Sequence, residues 1–599
     1  MVDSKKPAID YTSRDFNSIK SDLVDYARRY YPDTFRDFSI NSFGSLMLDT
    51  VSYVGDILSF YLDYQVNESF LSTATEYDNI LKISRQLGLK ADLAPASYGV
   101  LTFFVLVPAA SNGAPDFDYA PILKSNSKFT TTDGRTFTLL EDVNFKDTDQ
   151  NEIVVGEVDS NTSVPTSYAI RARGQAISGE LAVYEEVLGG YQRFRRVVVP
   201  GENISEVVSV IDSEGNVFFE VDYLSQNTVY TTLENKSESR TTVPNILKPI
   251  AVPRRYVVSK ERDNVILQFG FGTNENVSEV LDPSNVLVQE HGKKHITDDS
   301  FDPASLIKTD SLGVSPSNTV LRVIYRVNGA ENTNAAANTI TIPGEAILTF
   351  SSEEELDSTL VQNTRQSLEV TNETAFVGSN PLPNSDELKE RAFGVYSMQN
   401  RIVTKEDLIT AAYNMPKNFG SIKKAMAYQD SDSFNQRNIN LYVMSQGSDG
   451  KLEKSNTIIK NNLKTYLSRF KMINDTIDIL DANIINLRVN FSIIAFPDVE
   501  KFRALDLAKR DLVRFFNNRT NYEIGESFYI TDIFSVLKNS SLVLDVVEVD
   551  VVTKTGALYA DTNFNASVNK SADGRRILCP FDSVFEIKFP DTDLVGTIK

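Results

Sequence analysis

Residue types able to carry chemistry are few in this chain, and their spacing does not gather them. Only two histidines occur, His291 and His295 in "EHGKKH". Two His four residues apart can share one helix face and hold zinc, as in zinc proteases. Here no Glu lies between them, Gly292 interrupts the run, and the flanking sequence is strand-like, so a solvated loop is expected and no metal is assigned. Cys579 is the only cysteine, which rules out an intrachain disulfide and a thiolate cluster. Gly270 and Gly272 in "FGFGTNENVSE" lack the lysine and following helix of a phosphate loop and read as glycines of a β-hairpin turn. Carboxylates are abundant, yet no Asp/Glu pair is singled out, and with no Trp the usual stacking platform for sugars is missing. No nucleophile–base pair emerges from the spacing. An enzyme is not expected, and no cofactor is assigned.

The conspicuous feature is a helix. In "GSLMLDTVSYVGDILSFYLDYQVNESFLSTA", residues 44–74, Asp49, Asp56 and Asp63 recur every seven positions in one stripe with Ser45, Ser52 and Ser59. Nearly everything else is apolar: Leu46, Met47, Val51, Tyr53, Val54, Ile57, Leu58, Phe60, Tyr61, Leu62 and Tyr64. A surface helix needs an apolar arc of roughly 100°, and this one covers about twice that. The stripe is expected to be solvated; the other reading is a register device inside a multi-helix bundle. The wide arc implies partner helices from other chains.

Bulk composition bounds the rest. The 599 residues suffice for several domains, and 41% apolar with 24% charged residues is the balance of a folded protein. Sixty basic against 81 acidic residues give a net charge of −21, and no basic run offers a phosphate track, so nucleic acid is not a direct partner. The N-terminus shows no secretory signal. No segment reaches the ~20 apolar residues of a membrane span, and the three Asp of the long helix oppose insertion. A soluble protein made in the cytosol is expected.

Texture along the chain predicts an α+β multidomain protein. Residues 1–97 read as an N-terminal helical segment, with Phe16, Ile19, Leu23 and Tyr26 on one face of its first helix. Residues 98–350 alternate β-branched and aromatic runs with Gly, Asn, Asp and Pro, the pattern of central antiparallel β domains; "VVSVIDSEGNVFFEV" is a hairpin turning at "SEGN". Residues 351–416 form a connector and helical segment, with Asn384 or Ser385 and Thr404 as N-caps. Residues 417–553 order strand–helix–strand–strand–helix–strand, a C-terminal α+β (split βαβ-like) domain. Residues 554–599 are a tail of unassigned role.

Several stretches, taken in order, resemble the baseplate J-like family, in particular the inner wedge subunit of T-even-type contractile phage tails. They are the long apolar helix with its "NESFL.TA" turn, "ILQFGFGTN", "YRVNGAENTNAAANTIT", "VTNETAFVGSNPLPNSDELKERAF", the "R.VT.ED" helix start and "NYEIGESFYITDIFSVL". Asn328 and Ala330 flank a single Gly329 where the family more often has a glycine run. The resemblance implies a structural part of a virion's baseplate wedge, in an inner ring around the central hub that rearranges on sheath contraction. It implies that residues 1–97 join a helical bundle with a larger wedge subunit and a small sheath-initiating protein. It also implies that 417–553 pairs with a second copy of the chain, near central hub and spike proteins. Contact residues are expected at Val54, Ile57, Leu58 and Tyr61 for the bundle, and at Phe515, Ile524 and Ile530 for the paired copies. The alternatives are a receptor-binding, adhesin-like tail protein, suggested by the long β middle, and a glycan-cleaving tail enzyme.

Overall fold

The computed structural model describes residues 15–31, 42–90, 93–159, 164–234, 245–261, 264–273, 312–329, 332–430, 437–518, 522–556 and 558–599. His291 and His295 lie outside the described residues, as does Ala330. The chain forms two compact units, Met1–Ala91 with Pro383–Gln399, and Asp92–Leu382 with Asn400–Lys599.

The first unit is helical. Helix α1 (Phe16–Tyr30) starts at Asp15, whose side chain accepts from the Ser18 amide, and ends with Arg28 and Arg29 at the negative end of its dipole. Helix α2 (Phe43–Glu68) is capped by Ser42. Helix α3 (Tyr77–Gln86) is followed by Gly88 in the left-handed region, where a terminating glycine relieves strain. The helix Ser385–Met398, capped by Asn384, returns from far along the sequence to α3. Leu388 and Ala392 join Leu71, Ala74, Ile80 and Leu89 in a small core. Its distance in sequence from α3 explains why residues 383–399 read as part of a connector.

The second unit begins with two seven-stranded, largely antiparallel sheets. The strand Tyr98–Pro108 pairs along its length with Pro165–Ser178 and buries Leu101, Phe103, Val105 and Val107 at period two, while Glu369–Thr371 covers its other edge. The second sheet contains the expected hairpin, Ile204–Asp212 with Val217–Glu220, turning at Gly215 with φ of 84°. Gly270 and Gly272 serve a different purpose from a hairpin turn. They lie where the strand Asn264–Phe269 runs out beside Leu312–Ser315, and the Gly272 amide donates to the Gly313 carbonyl at 2.8 Å. A Cβ on Gly270 would fall 2.1 Å from that carbonyl oxygen, so backbone approach requires glycine there.

Beyond residue 416 the strands form two four-stranded sheets and a two-stranded ribbon, Phe528–Tyr529 with Arg576–Ile577. In one, Asn438–Gln446 is flanked by antiparallel Lys424–Gln429 and parallel Thr476–Asp481, with the helix Thr457–Leu467 making the crossover. In the other, Asn483–Ala495 is central, and Val543–Thr553 pairs antiparallel to it after the helices Lys501–Asn518 and Ile530–Lys538. The C-terminal tail completes this second sheet: Ser583–Glu586 and Leu594–Ile598 both lie parallel to the central strand. Phe585 and Leu594 are core residues beside Val489, Phe491 and Leu512.

The tail is also pinned by charge. Asp593 is fully buried and accepts from Lys554 Nζ at 2.8 Å, the Tyr559 hydroxyl at 2.9 Å and the Phe589 amide at 2.9 Å. These three donors satisfy a carboxylate that would otherwise be costly to bury. Asp593→Ala is expected to destabilise the second unit by about 3 kcal/mol, because it strands Lys554 and two other donors. Chemical denaturation followed by tryptophan-free near-UV circular dichroism checks this, and an unchanged midpoint would mean that the tail is a passive appendage.

Candidate interaction surface

The long helix is turned the opposite way from a surface amphipathic helix. Its Ser/Asp stripe faces inward: Ser45 and Ser52 are buried, at 3% and 0% exposure, and Asp49, Asp56, Ser59 and Asp63 are half-buried. The expectation of a solvated stripe is therefore corrected. Steric fit accounts for the packing, since positions 45, 49, 52, 56, 59 and 63 alternate steps of four and three and form one straight seam. Their small or short side chains let α1 approach closely. A Cβ placed on Gly55 would lie 3.2 Å from Ile19 Cδ1, and Lys20 Nζ reaches Asp49 at 2.5 Å.

Among the described residues the apolar arc is left exposed. Leu46, Met47, Val51, Tyr53, Phe60, Leu62, Tyr64 and Val66 are exposed. Of the four residues expected to meet partner helices, Val54, Leu58 and Tyr61 are 49%, 58% and 62% exposed, and Ile57 is half-buried. The arc resolves into two further seams with the same four–three spacing: Met47, Val51, Val54, Leu58, Tyr61, and Leu46, Thr50, Tyr53, Ile57, Phe60, Tyr64. On a helical wheel these seams lie about 100° apart, as do the contact lines of a helix touching two neighbours.

Glu68 fixes where this helix ends. It is buried, and its carboxylate accepts from the Thr75 amide at 2.8 Å, the Thr75 hydroxyl at 2.7 Å and Asn79 Nδ2 at 3.0 Å. Desolvation pushes its pKa up, but these hydrogen bonds outweigh it and bring the value down to about 2. The "NESFL.TA" turn is thus a carboxylate clamp between α2 and α3.

The other motifs are clamps as well. Asn372 accepts from the Thr339 and Ile340 amides at 2.9 Å each, and its neighbour Glu373 receives Arg171 and Arg173. Asn328 Nδ2 donates to the Pro95 carbonyl at 2.9 Å. Asn334 Nδ2 donates to both the Ser379 and Gln446 carbonyls at 2.9 Å, tying a β-sheet loop to the C-terminal sheets. Thr404 and Asp407 form a capping box. Asparagine recurs because its amide replaces a backbone donor–acceptor pair where chain segments meet. Sequence inspection found these positions as family-like turns and missed their buried, bridging role, since their partners lie as far as 233 residues away.

In the C-terminal domain, two residues expected at a paired-copy interface face inward. Ile524 and Ile530 are 2% and 3% exposed and belong to the domain core; Phe515 is half-buried against it. Gly525, with φ of 79°, turns this segment so that its amide reaches the Ser583 carbonyl, and Ile524 follows inward. Buried side chains cannot present a docking surface, so Ile524 and Ile530 are corrected to core residues.

Burial pushes the Cys579 thiol up to about 12, which keeps it protonated at neutral pH. Among the described residues no three His, Cys, Asp or Glu side chains gather to hold a metal, and no helix is long and apolar enough to cross a membrane.

Residues 15–86, from the start of α1 to the end of α3, match the family described as bacteriophage baseplate protein, N-terminal domain. No curated protein matches the chain. Among solved structures, a chain of the anti-feeding prophage (AFP) baseplate, solved by cryo-EM and 6-fold symmetrised, is similar at 11% identity over 96% of this chain and 98% of that one. Its TM-score is 0.28, too loose to carry structure from one to the other. The family match is confined to the helical stretch 15–86 and likens that stretch to the N-terminal domain of bacteriophage baseplate proteins.

Glu68→Gln is expected to cost the helical unit about 1–2 kcal/mol at neutral pH, allowing for partial solvent access. Because the folded pKa lies below the unfolded one, this stability is present above pH ~4.5 and fades as pH falls toward about 2. The difference between wild type and variant should shrink over that window when thermal melts are compared. A difference that stays constant with pH would mean that the carboxylate charge is not what holds the turn.

Proposed function

We propose that this chain is the inner wedge subunit of a contractile-tail baseplate. In that role it would build the ring around the central hub and rearrange as the sheath contracts. The observation that carries the reading is the orientation of α2: its polar seam is spent on α1, and among the described residues two apolar seams are left exposed. The partners that fit are amphipathic helices of a larger wedge subunit and of a small sheath-initiating protein, with Val54, Ile57, Leu58 and Tyr61 as contact residues.

Magnitudes favour assembly over a free helix. Fully burying an exposed Val, Leu, Ile or Phe side chain contributes about 1.5–3 kcal/mol, so covering the remaining half of four such side chains supplies roughly 3–6 kcal/mol. That is comparable with the cost of immobilising one body on another. A ring that widens also needs interfaces with two arrangements of similar energy, and bundled seams of equal spacing can slide by one heptad step.

Leu58→Asp tests the reading. The variant should keep its fold, because Leu58 touches solvent in the isolated chain, and should fail to enter a complex with wedge proteins encoded beside it. Light scattering of co-expressed, co-purified material measures the mass. If the variant assembles as the wild type does, the α2 arc is not the bundle surface and the wedge reading fails.

A further inference from the structure

We propose that the free edge of the strand Glu180–Leu188 is a strand-addition site, which an extended segment of another protein, basic and apolar in character, enters as an eighth strand of the second sheet. The strand lies at one end of that seven-stranded sheet and pairs on one side only, with Thr319–Val327, in unbroken antiparallel register. Among the described residues no backbone hydrogen bond leaves Leu181–Val187 in the other direction. A row of unpaired amides and carbonyls about 30 Å long, at about 3.4 Å per residue, therefore faces outward.

Other edges in the protein are blunted, and this one is not. The edge strands Val543–Thr553 and Glu152–Val158 carry register shifts, and Asn245–Ala251 contains Pro249. Bulges and prolines hinder the pairing of a further strand. Glu180–Leu188 contains neither Pro nor Lys, and among the described residues it is the longest edge strand without a shift. Its outer face is apolar: Val187, 81% exposed, stands opposite Val320, and Val183, 51% exposed, opposite Ile324. Cross-strand rows of this kind stabilise a sheet, and an added strand extends both.

Charge selects the occupant. Glu180 lies 3.5 Å from Lys128 and Glu185 3.9 Å from Arg322. Glu186 stands on the other face, with Ala182 and Tyr184, which pack against the core of this sheet. It is half-buried, and its printed partner is the Tyr184 hydroxyl at 3.5 Å; among the described residues no cation pairs with it. A carboxylate at such a depth costs free energy until a cation reaches it. Two copies of this edge laid together would add carboxylate to carboxylate, since the strand contains no Lys or Arg. A segment with Lys opposite Glu185 and Glu186, and Val opposite Val183 and Val187, satisfies both faces. Run antiparallel to Glu180–Leu188, it reads Val-Lys-Lys-Thr-Val. Main-chain bonds then supply affinity and the side chains supply selection. This goes beyond the wedge reading and does not depend on it, because the edge shares no residue with α2 and the test uses no wedge protein.

The test titrates the full chain into a fluorescent peptide carrying Val-Lys-Lys-Thr-Val between flanking threonines, read by anisotropy at about 0.1 M salt, where contacting charges still act. Saturable binding is expected. N-methylation of alternate peptide amides separates strand pairing from other modes, because only every second amide of an added strand faces the edge. One methylated set should abolish binding, and the set one residue out of step should leave it nearly unchanged. Glu186→Lys should weaken the peptide about tenfold and strengthen one with Glu in place of its first Lys; circular dichroism checks that the variant folds. No saturable binding at millimolar peptide, equal effects of the two methylated sets, or an affinity indifferent to Glu186 overturns the proposal. So does light scattering that finds the free chain dimeric and made monomeric by the peptide, which would assign the edge to a second copy.

Discussion

The close seam between α1 and α2 is the constraint on which the helical unit depends. A helix of 26 residues with so much apolar surface would ordinarily turn that surface to its own neighbours. Here the nearest neighbour is α1, which contacts a row of serines, aspartates and one glycine. Short side chains allow close approach and a Lys20–Asp49 ion pair, and the bulky face is thereby turned away. The exposed surface of α2 follows from that choice: among the described residues its two apolar seams are left uncovered.

The same economy of buried polar groups governs the larger unit. Long-range asparagine and carboxylate contacts tie together segments that lie far apart in the sequence. Asn334 bridges Ser379 and Gln446, Asn372 holds the 336–340 turn, and Asp593 anchors the tail through Lys554 and Tyr559. Each places an amide or carboxylate where segments distant in sequence must hold a fixed relation.

Much of the local structure was legible. Period-two alternation marked the strand Tyr98–Pro108 and the 204–220 hairpin, and cap chemistry at Asn384 and Thr404 marked two helix starts. Those signals are carried by neighbours within a few residues, where propensity and capping act. Pairings across the chain were not legible: the docking of the 385–398 helix on α3, the use of the tail as two strands of the last sheet, and Gly270 as a point of close backbone approach. Ile524 and Ile530 show the limit most plainly, since an apolar residue on an amphipathic segment reads the same whether its face meets the domain's own core or another copy.

From sequence alone came the α+β composition, the absence of a disulfide framework, the acidic balance and the excess apolar arc of residues 44–66, all properties of residue type and short-range period. Tertiary structure decided which face of that helix is covered and which carboxylates are clamps. The physical reason is that periodicity tells which residues share a face, whereas what that face meets depends on the shape and position of elements brought together from far along the chain.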